Sequence, residues 1–208
     1  MNTTLAEYLT ALSSAEPTPG GGSAAALVGA LAASLLAMTA RLALRSKRFK
    51  QPTAESAALV AAGESIVKQA DTLRDAFQAA RTADEAAYAD VRQAFAAPKA
   101  TATEQTLRQA AIALALEHAA EAPLEIARLA AQTAKLAQAT LALGHMPLLS
   151  DIICAAEFAQ ASANAAAANV RINHQAMHDT ALITQQATQL QAYLAKTAEV
   201  RALICDRI

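Results

Sequence analysis

The chain has 208 residues, 60 of them alanine, with 3% aromatic residues, no tryptophan and a net charge of −1. Its pI of about 6.4 argues against nucleic-acid binding, which needs a basic face, so no nucleic-acid partner is expected. The length fits one domain spanning residues 1–208, and a core of Ala, Leu, Ile and Val implies closely approaching helices. Such a core buries modest area per turn, so long helices and a subunit interface are expected.

Residues 2–14 predict a short amphipathic helix with Leu5, Leu9 and Leu12 on one face. Next comes Pro17-Thr18-Pro19-Gly20-Gly21-Gly22-Ser23. Two prolines forbid a helix through this point, and three glycines leave backbone that another group can approach closely. Ser23 is a favourable N-cap, and a helix is expected from Ser23 to Arg45. The stretch has two readings. It is either a tight corner or a cradle in which free N–H groups at a helix N-terminus receive an anionic or carbonyl-bearing ligand. No Lys follows the last glycine and no strand precedes the first, so it is neither a Walker loop nor a dinucleotide fingerprint.

On that helix Leu27, Leu31, Leu35 and Met38 form one apolar face. Gly29, Ala33 and Ala37 form a second face that would admit another backbone at short distance. Residues 17–40 carry no charge over 24 positions, long enough to span a bilayer. The Pro-Gly opening and the Ala, Ser and Thr content favour a buried core helix. No membrane association is expected, and a soluble, cytoplasmic protein is. Arg45-Ser46-Lys47-Arg48-Phe49-Lys50 is a basic turn closed by Pro52.

A long helix is expected from Thr53 to Ala97, stopped by Pro98. Thr101 and Glu104 form a capping box opening the next helix, which is expected to kink or restart at Pro123 and to end at Gly144. Pro147 suits a first helical turn. A helix over Leu148–Ile172 and a last one over Gln175–Arg207 complete the chain. No period-2 strand pattern occurs. The fold class is all-α, an up-and-down bundle of about six to eight long Ala-rich helices, dimeric.

Asp84 shares a face with Tyr88 and Val91. A carboxylate directed at an apolar surface has its pKa raised and can move protons. Glu85 and Asp90 read as solvated charges. On the helix after Gly144, Asp151, Ser162, Asn169 and Asn173 project within about 40° of one line. Asn169 and Asn173 are about 6 Å apart and can act together; Asp151 lies about 27 Å from Asn169. It therefore serves another subsite, a neighbouring subunit or a helix cap. His118 with Glu117, Glu121 and Glu125 lacks the second Glu-x-x-His of a di-metal bundle. His174 and His178 read as a solvated pair, and His145 is the histidine best placed for function. Cys154 and Cys205 show neither metal spacing nor a disulfide framework and read as small apolar residues, or as a surface thiol for Cys205. No metal site is expected.

The proline-glycine loop, Asp84 to Tyr88, Pro98-Lys99, Ala122-Pro123-Leu124, Ser150-Asp151 and Asn169-Val170-Arg171-Ile172-Asn173 occur in that order. Together they resemble the cyclodeaminase/cyclohydrolase family of folate enzymes over most of the chain. Three positions depart from the family pattern: His145-Met146-Pro147 after Gly144, Ala97 before Pro98, and Tyr88 in place of Phe. The resemblance implies an all-helical homodimer acting at N5 and N10 of a tetrahydrofolate derivative, with no cofactor beyond that substrate. It implies that Asp84 carries the proton transfer. Gly20, Gly21, Gly22, Ser23, Lys47, Asp151, Asn169 and Asn173 are the expected substrate contacts. Arg48 joins Lys47 as a candidate for the anionic tail. Cyclohydrolase activity is expected ahead of cyclodeaminase, because no formiminotransferase segment accompanies the chain. A non-catalytic, folate-binding helical dimer is the alternative of another class.

Overall fold

The structure is a computed structural model describing residues 4–51, 53–144 and 146–207; Asn2, Pro52 and His145 lie outside them. Six α-helices follow in order: α1 (Leu5–Leu12), α2 (Gly21–Arg45), α3 (Ala54–Ala96), α4 (Ala102–Ala142), α5 (Leu149–His174) and α6 (Thr180–Cys205). Short 3₁₀ turns at Lys47–Lys50 and Met146–Leu148 precede α3 and α5. No strand occurs among the described residues. Helices α2, α3, α4 and α5 form a bundle in which each packs on its sequence neighbours or closes the ring, and α6 lies along α4 and α5.

The helix limits have local causes. Thr53 accepts from the Ser56 N–H to start α3. Thr101 and Glu104 form the expected capping box of α4, and Asp179 accepts from Ala181 and Leu182 to start α6. That cap begins α6 five residues later than expected. It leaves His178 in a loop and His174 at the end of α5, bonded to Gln186 at 2.8 Å, so the two are no helical pair. α4 ends before Gly144, which takes φ +68°, the left-handed region glycine tolerates. α4 runs through Pro123 without a restart.

The core is built by the small residues. Ala25, Ala26, Ala30, Ala32, Ala33, Leu36, Ala37 and Ala40 of α2 are buried, whereas Leu31 and Met38 point outward and Leu27 and Leu35 are half-buried. The large-residue face of α2 is therefore its outer face. Backbones that meet over alanine leave no room for a second layer of leucines. α1 shows the same inversion: Leu5 and Leu9 are exposed and Tyr8 is buried. Phe77 is the largest fully buried side chain, and its ring lies where a Cβ on Gly29 would fall.

α2 is long and apolar enough to cross a membrane, but its small-residue face is committed to α3, α5 and α4. Gly29→Ala should cost about 1–3 kcal/mol by overpacking against Phe77. In urea unfolding, adding Phe77→Leu should recover part of that loss, because contacting sites couple.

Candidate active site

α2 and α5 pack antiparallel. Ser162 donates to the Ala25 carbonyl at 2.8 Å, and a Cβ on Gly21 would sit 3.5 Å from the Asn169 amide. This pairing sets the N-terminal turn of α2 beside the C-terminal half of α5. α3 supplies the third wall. At Gly22 the missing side chain is a requirement, since a Cβ there would overlap the Asp84 carboxylate.

The resulting cleft has a volume of about 290 Å³. Gly20, Gly21 and Gly22 form one side, with Asp84 and Tyr88 on α3 and Asn169 and Asn173 on α5. Ala119 on α4 closes the floor and Ile172 stands at the rim. Gly20 is the N-cap, so the N–H groups of Gly21 and Gly22 begin the helix and carry its partial positive charge.

Asp84 is half-buried. Burial raises its pKa above the ordinary aspartate value; a hydrogen bond from the Ser23 main-chain N–H opposes that rise, and the neighbouring Glu85 charge adds to it. The net direction is upward, toward the range in which a carboxyl group can both take and give a proton. Asn169 donates to the Ala165 carbonyl at 2.9 Å. Asn173 donates to the Ala119 carbonyl at 2.6 Å, tying α5 to α4. Each amide is thus oriented through its NH₂, which leaves its oxygen as an acceptor for a ligand.

Asp84, Gly20, Gly21, Gly22, Asn169 and Asn173 lie together in this cleft; Ser23 and Lys47 do not line it, and Asp151 lies apart from it, as the rise of its helix predicts. Ser23 is not the N-cap and does not face the cleft. It is fully buried, with its hydroxyl donating to Glu85 at 2.7 Å and lying 3.0 Å from the Tyr8 hydroxyl. Arg81 lies over the Tyr8 ring at 5.3 Å. Glu85 is accordingly half-buried and engaged rather than solvated, while Asp90 is exposed.

Lys47 follows the far end of α2, a helix of 25 residues and so about 37 Å long. Arg48 is there too, bridging to Glu55 at 3.6 Å. Asp151 is in the first turn of α5, at that same far end. Among the described residues no Lys or Arg lines the cleft. Ala119 escaped the sequence reading because an alanine among sixty gives no signal.

Among the described residues no group of three or more His, Cys, Asp or Glu side chains could hold a metal ion. His118 is exposed, and His145 lies outside the described residues. Cys154 is an exposed thiol; Cys205 is partly covered, and burial together with the Glu157 carboxylate it faces pushes its pKa up. A larger cavity of about 510 Å³ opens between Phe95, Gln109, Glu117, His178 and Asp179. The N-terminus of α6 borders it, but that helix end is already capped by the Asp179 side chain, and no carboxylate there is pressed against glycine backbone, so the smaller cleft is the candidate site.

A helical bundle that presents one half-buried carboxylate to a glycine-built helix N-terminus defines a class of small-molecule site suited to proton transfer. The fold is also that of formiminotetrahydrofolate cyclodeaminase from Thermotoga maritima, with a TM-score of 0.85 at 23% identity, covering 98% of this chain and 94% of that one. The family model described as formiminotransferase-cyclodeaminase matches residues 4–192, and the chain belongs to that family. It is 29% identical over 207 residues to a methenyltetrahydrofolate cyclohydrolase from Methylorubrum extorquens, covering 100% of this chain and 96% of the relative. It is 26% identical over 204 residues to the mouse formimidoyltransferase-cyclodeaminase, of which it spans 36%.

A group with a raised native pKa binds its proton more tightly when folded. Its ionisation therefore lowers stability as pH rises from the unfolded to the native pKa. Asp84→Asn should accordingly raise Tm at pH 7, and the difference should vanish below pH ~4. Thermal unfolding of both proteins across pH 3–8 checks this.

Proposed function

We propose that this chain is a cytoplasmic folate enzyme that hydrolyses 5,10-methenyltetrahydrofolate to 10-formyltetrahydrofolate, as a homodimer and with no metal or redox cofactor. The observation that carries the reading is Asp84, half-buried and set against the first turn of α2 in a cleft with Asn169 and Asn173. Relatives named for folate chemistry support it. The Methylorubrum extorquens cyclohydrolase matches over nearly its whole length, which favours hydrolysis.

The methenyl carbon of the substrate is cationic and bonded to N5 and N10. Asp84 as carboxylate accepts a proton from a water whose oxygen bonds to that carbon. The neutral tetrahedral adduct then collapses: the C–N5 bond breaks, Asp84 returns its proton to N5, and the adduct hydroxyl loses its own proton as the formyl C=O forms on N10. One proton is released overall, which balances the lost positive charge. Asn169 and Asn173 offer amide oxygens to the N–H groups of the bicyclic ring, and the Gly21 and Gly22 N–H groups suit a ring carbonyl.

The family description favours a second reading. In it N10 attacks the formimino carbon on N5, ammonia leaves, and Asp84 moves the proton that makes ammonia the leaving group.

Loss of the near-ultraviolet absorbance of methenyltetrahydrofolate measures the first reaction, and ammonia release from 5-formiminotetrahydrofolate the second. Asp84→Asn should lower kcat about 10²–10⁴-fold; a mutant as active as the wild type would falsify the mechanism. The acid limb of kcat/KM should lie above the usual aspartate pKa of about 3.9. Glu85→Gln should move that limb to lower pH by removing a like charge beside Asp84.

A further inference from the structure

The outer face of α2 is ordered in a way the monomer does not use. Gly21, Ala24, Val28, Leu31, Leu35, Met38, Leu42 and Arg45 follow one another at alternating spacings of three and four. All are exposed or half-buried: Leu31 is 46%, Met38 38% and Leu42 37% exposed. A repeat averaging 3.5 residues keeps one stripe facing a partner helix along its whole length. The stripe is also symmetric about position 33. Turned end for end, Gly21 falls opposite Arg45, Ala24 opposite Leu42, Val28 opposite Met38, and Leu31 opposite Leu35. Three of these four pairs set a smaller side chain against a larger one, as interdigitating surfaces require.

α5 extends the face. α4 and α6 cover one flank and α2 the other, so its open side adjoins α2. That side carries Cys154, Phe158, Ala161, Ala165, Ala168 and Ile172, again at spacings of four and three. Glu157, the one charge between Cys154 and Val170, is turned to Arg201. Two helices about 37 Å long and about 20 Å wide together offer on the order of 700 Å² per copy, against the roughly 800 Å² of a standard interface.

We infer that a second copy of this chain packs antiparallel on the α2/α5 face, and that the partner's Arg45 completes the cleft as the cation for the substrate's glutamate carboxylates. Charge fixes the direction. A parallel pair would set Arg45, Lys47, Arg48 and Lys50 of both copies against each other. The antiparallel pair places them beside the end of α2 where Glu16, Asp84 and Glu85 lie, and like-charge contacts are what discriminate between such arrangements.

The cleft itself requires the contribution. At about 290 Å³ it holds a bicyclic ring and leaves the acidic tail outside, and among the described residues no Lys or Arg lines it. The larger cavity nearby is lined by Glu117 and Asp179 and repels that tail. Ile172, at the rim and 60% exposed, joins the apolar face to the site mouth.

This inference rests on the folate reading for its ligand but not for its geometry, and two experiments separate them. Ala24→Cys and Leu42→Cys, each in a Cys154→Ser/Cys205→Ser background, should cross-link with each other on oxidation and not with themselves. Self-cross-linking of either, or a monomeric wild type by sedimentation, overturns the packing whatever the substrate is. Arg45→Ala should stay dimeric and raise KM about tenfold with kcat unchanged, the loss of one charge-assisted hydrogen bond. Co-expressed with Asp84→Asn, it should yield heterodimers with one intact site, giving about a quarter of wild-type activity below KM. Activity no higher than the mean of the two parent homodimers places Arg45 in cis and overturns the assignment. A wild type inactive on both folates removes the proposed function and leaves the cross-linking result standing.

Discussion

Asp84 meets the first turn of α2 because position 22 carries no side chain. That contact places a carboxylate, half-withdrawn from water, against backbone N–H groups. It holds only if the end of α2 stays where it is, and three separate contacts fix it. Ser162 on α5 grips the Ala25 carbonyl. Tyr8 and Glu85 hold the Ser23 hydroxyl from two other helices. Phe77 on α3 seats against Gly29 two turns further along. Each uses either a small residue that lets a partner approach or a hydroxyl that would be costly to leave unpaired in the interior. The Ala-rich composition is therefore what permits the site, since bulkier cores hold helices further apart.

Much of the fold was legible because punctuation is local chemistry. Thr101 and Glu104, Pro98 and Gly144 mark helix ends through their own backbone and capping preferences, and the structure places ends there. The cleft was legible for a different reason. Glycines before a helix, a carboxylate with apolar residues one and two turns on, and two Asn residues one turn apart each identify a surface without the tertiary fold. Which end of a long helix meets which end of another is not local. Helix rise alone already set Asp151 about 27 Å from Asn169, but Lys47 could be read only as suitably charged, and it takes the packing of α2 against α5 to show it at the end opposite the cleft. Pro123 misled in a simpler way, because packing over the full length of α4 holds a helix that propensity alone would break.

The inversion of α2 follows from the same limit. Periodicity finds two faces, one of leucines and one of alanine and glycine, and apolar area favours burying the leucines. In a bundle whose other helices are also lined with alanine, the small face wins. It allows backbone-to-backbone distances at which many atom pairs make dispersion contacts, whereas the leucine face would hold the helices apart. The larger side chains of α2 then lie on the outside, on the face where the inferred second copy packs.

Two adjacent carboxylates end with different work because their surroundings differ. Glu85 receives the Ser23 hydroxyl and is occupied with holding α2. Asp84 is left facing the cleft, its pKa raised by burial. The sign of the local field explains why the carboxylate is needed at all. A helix N-terminus carries about half a positive charge and by itself would repel the cationic methenyl carbon of the proposed substrate. An ionised Asp84 supplies a full negative charge at closer range and reverses that sign. In the proposed reaction, once the proton from water is on Asp84 that negative charge is gone, and the Gly21 and Gly22 N–H groups favour the collapse step in which an uncharged formyl oxygen gains partial negative charge. In the proposed mechanism one residue therefore switches the cleft between attracting a cation and stabilising a carbonyl, and the missing side chain at Gly22 is what lets the carboxylate come that close to the helix end.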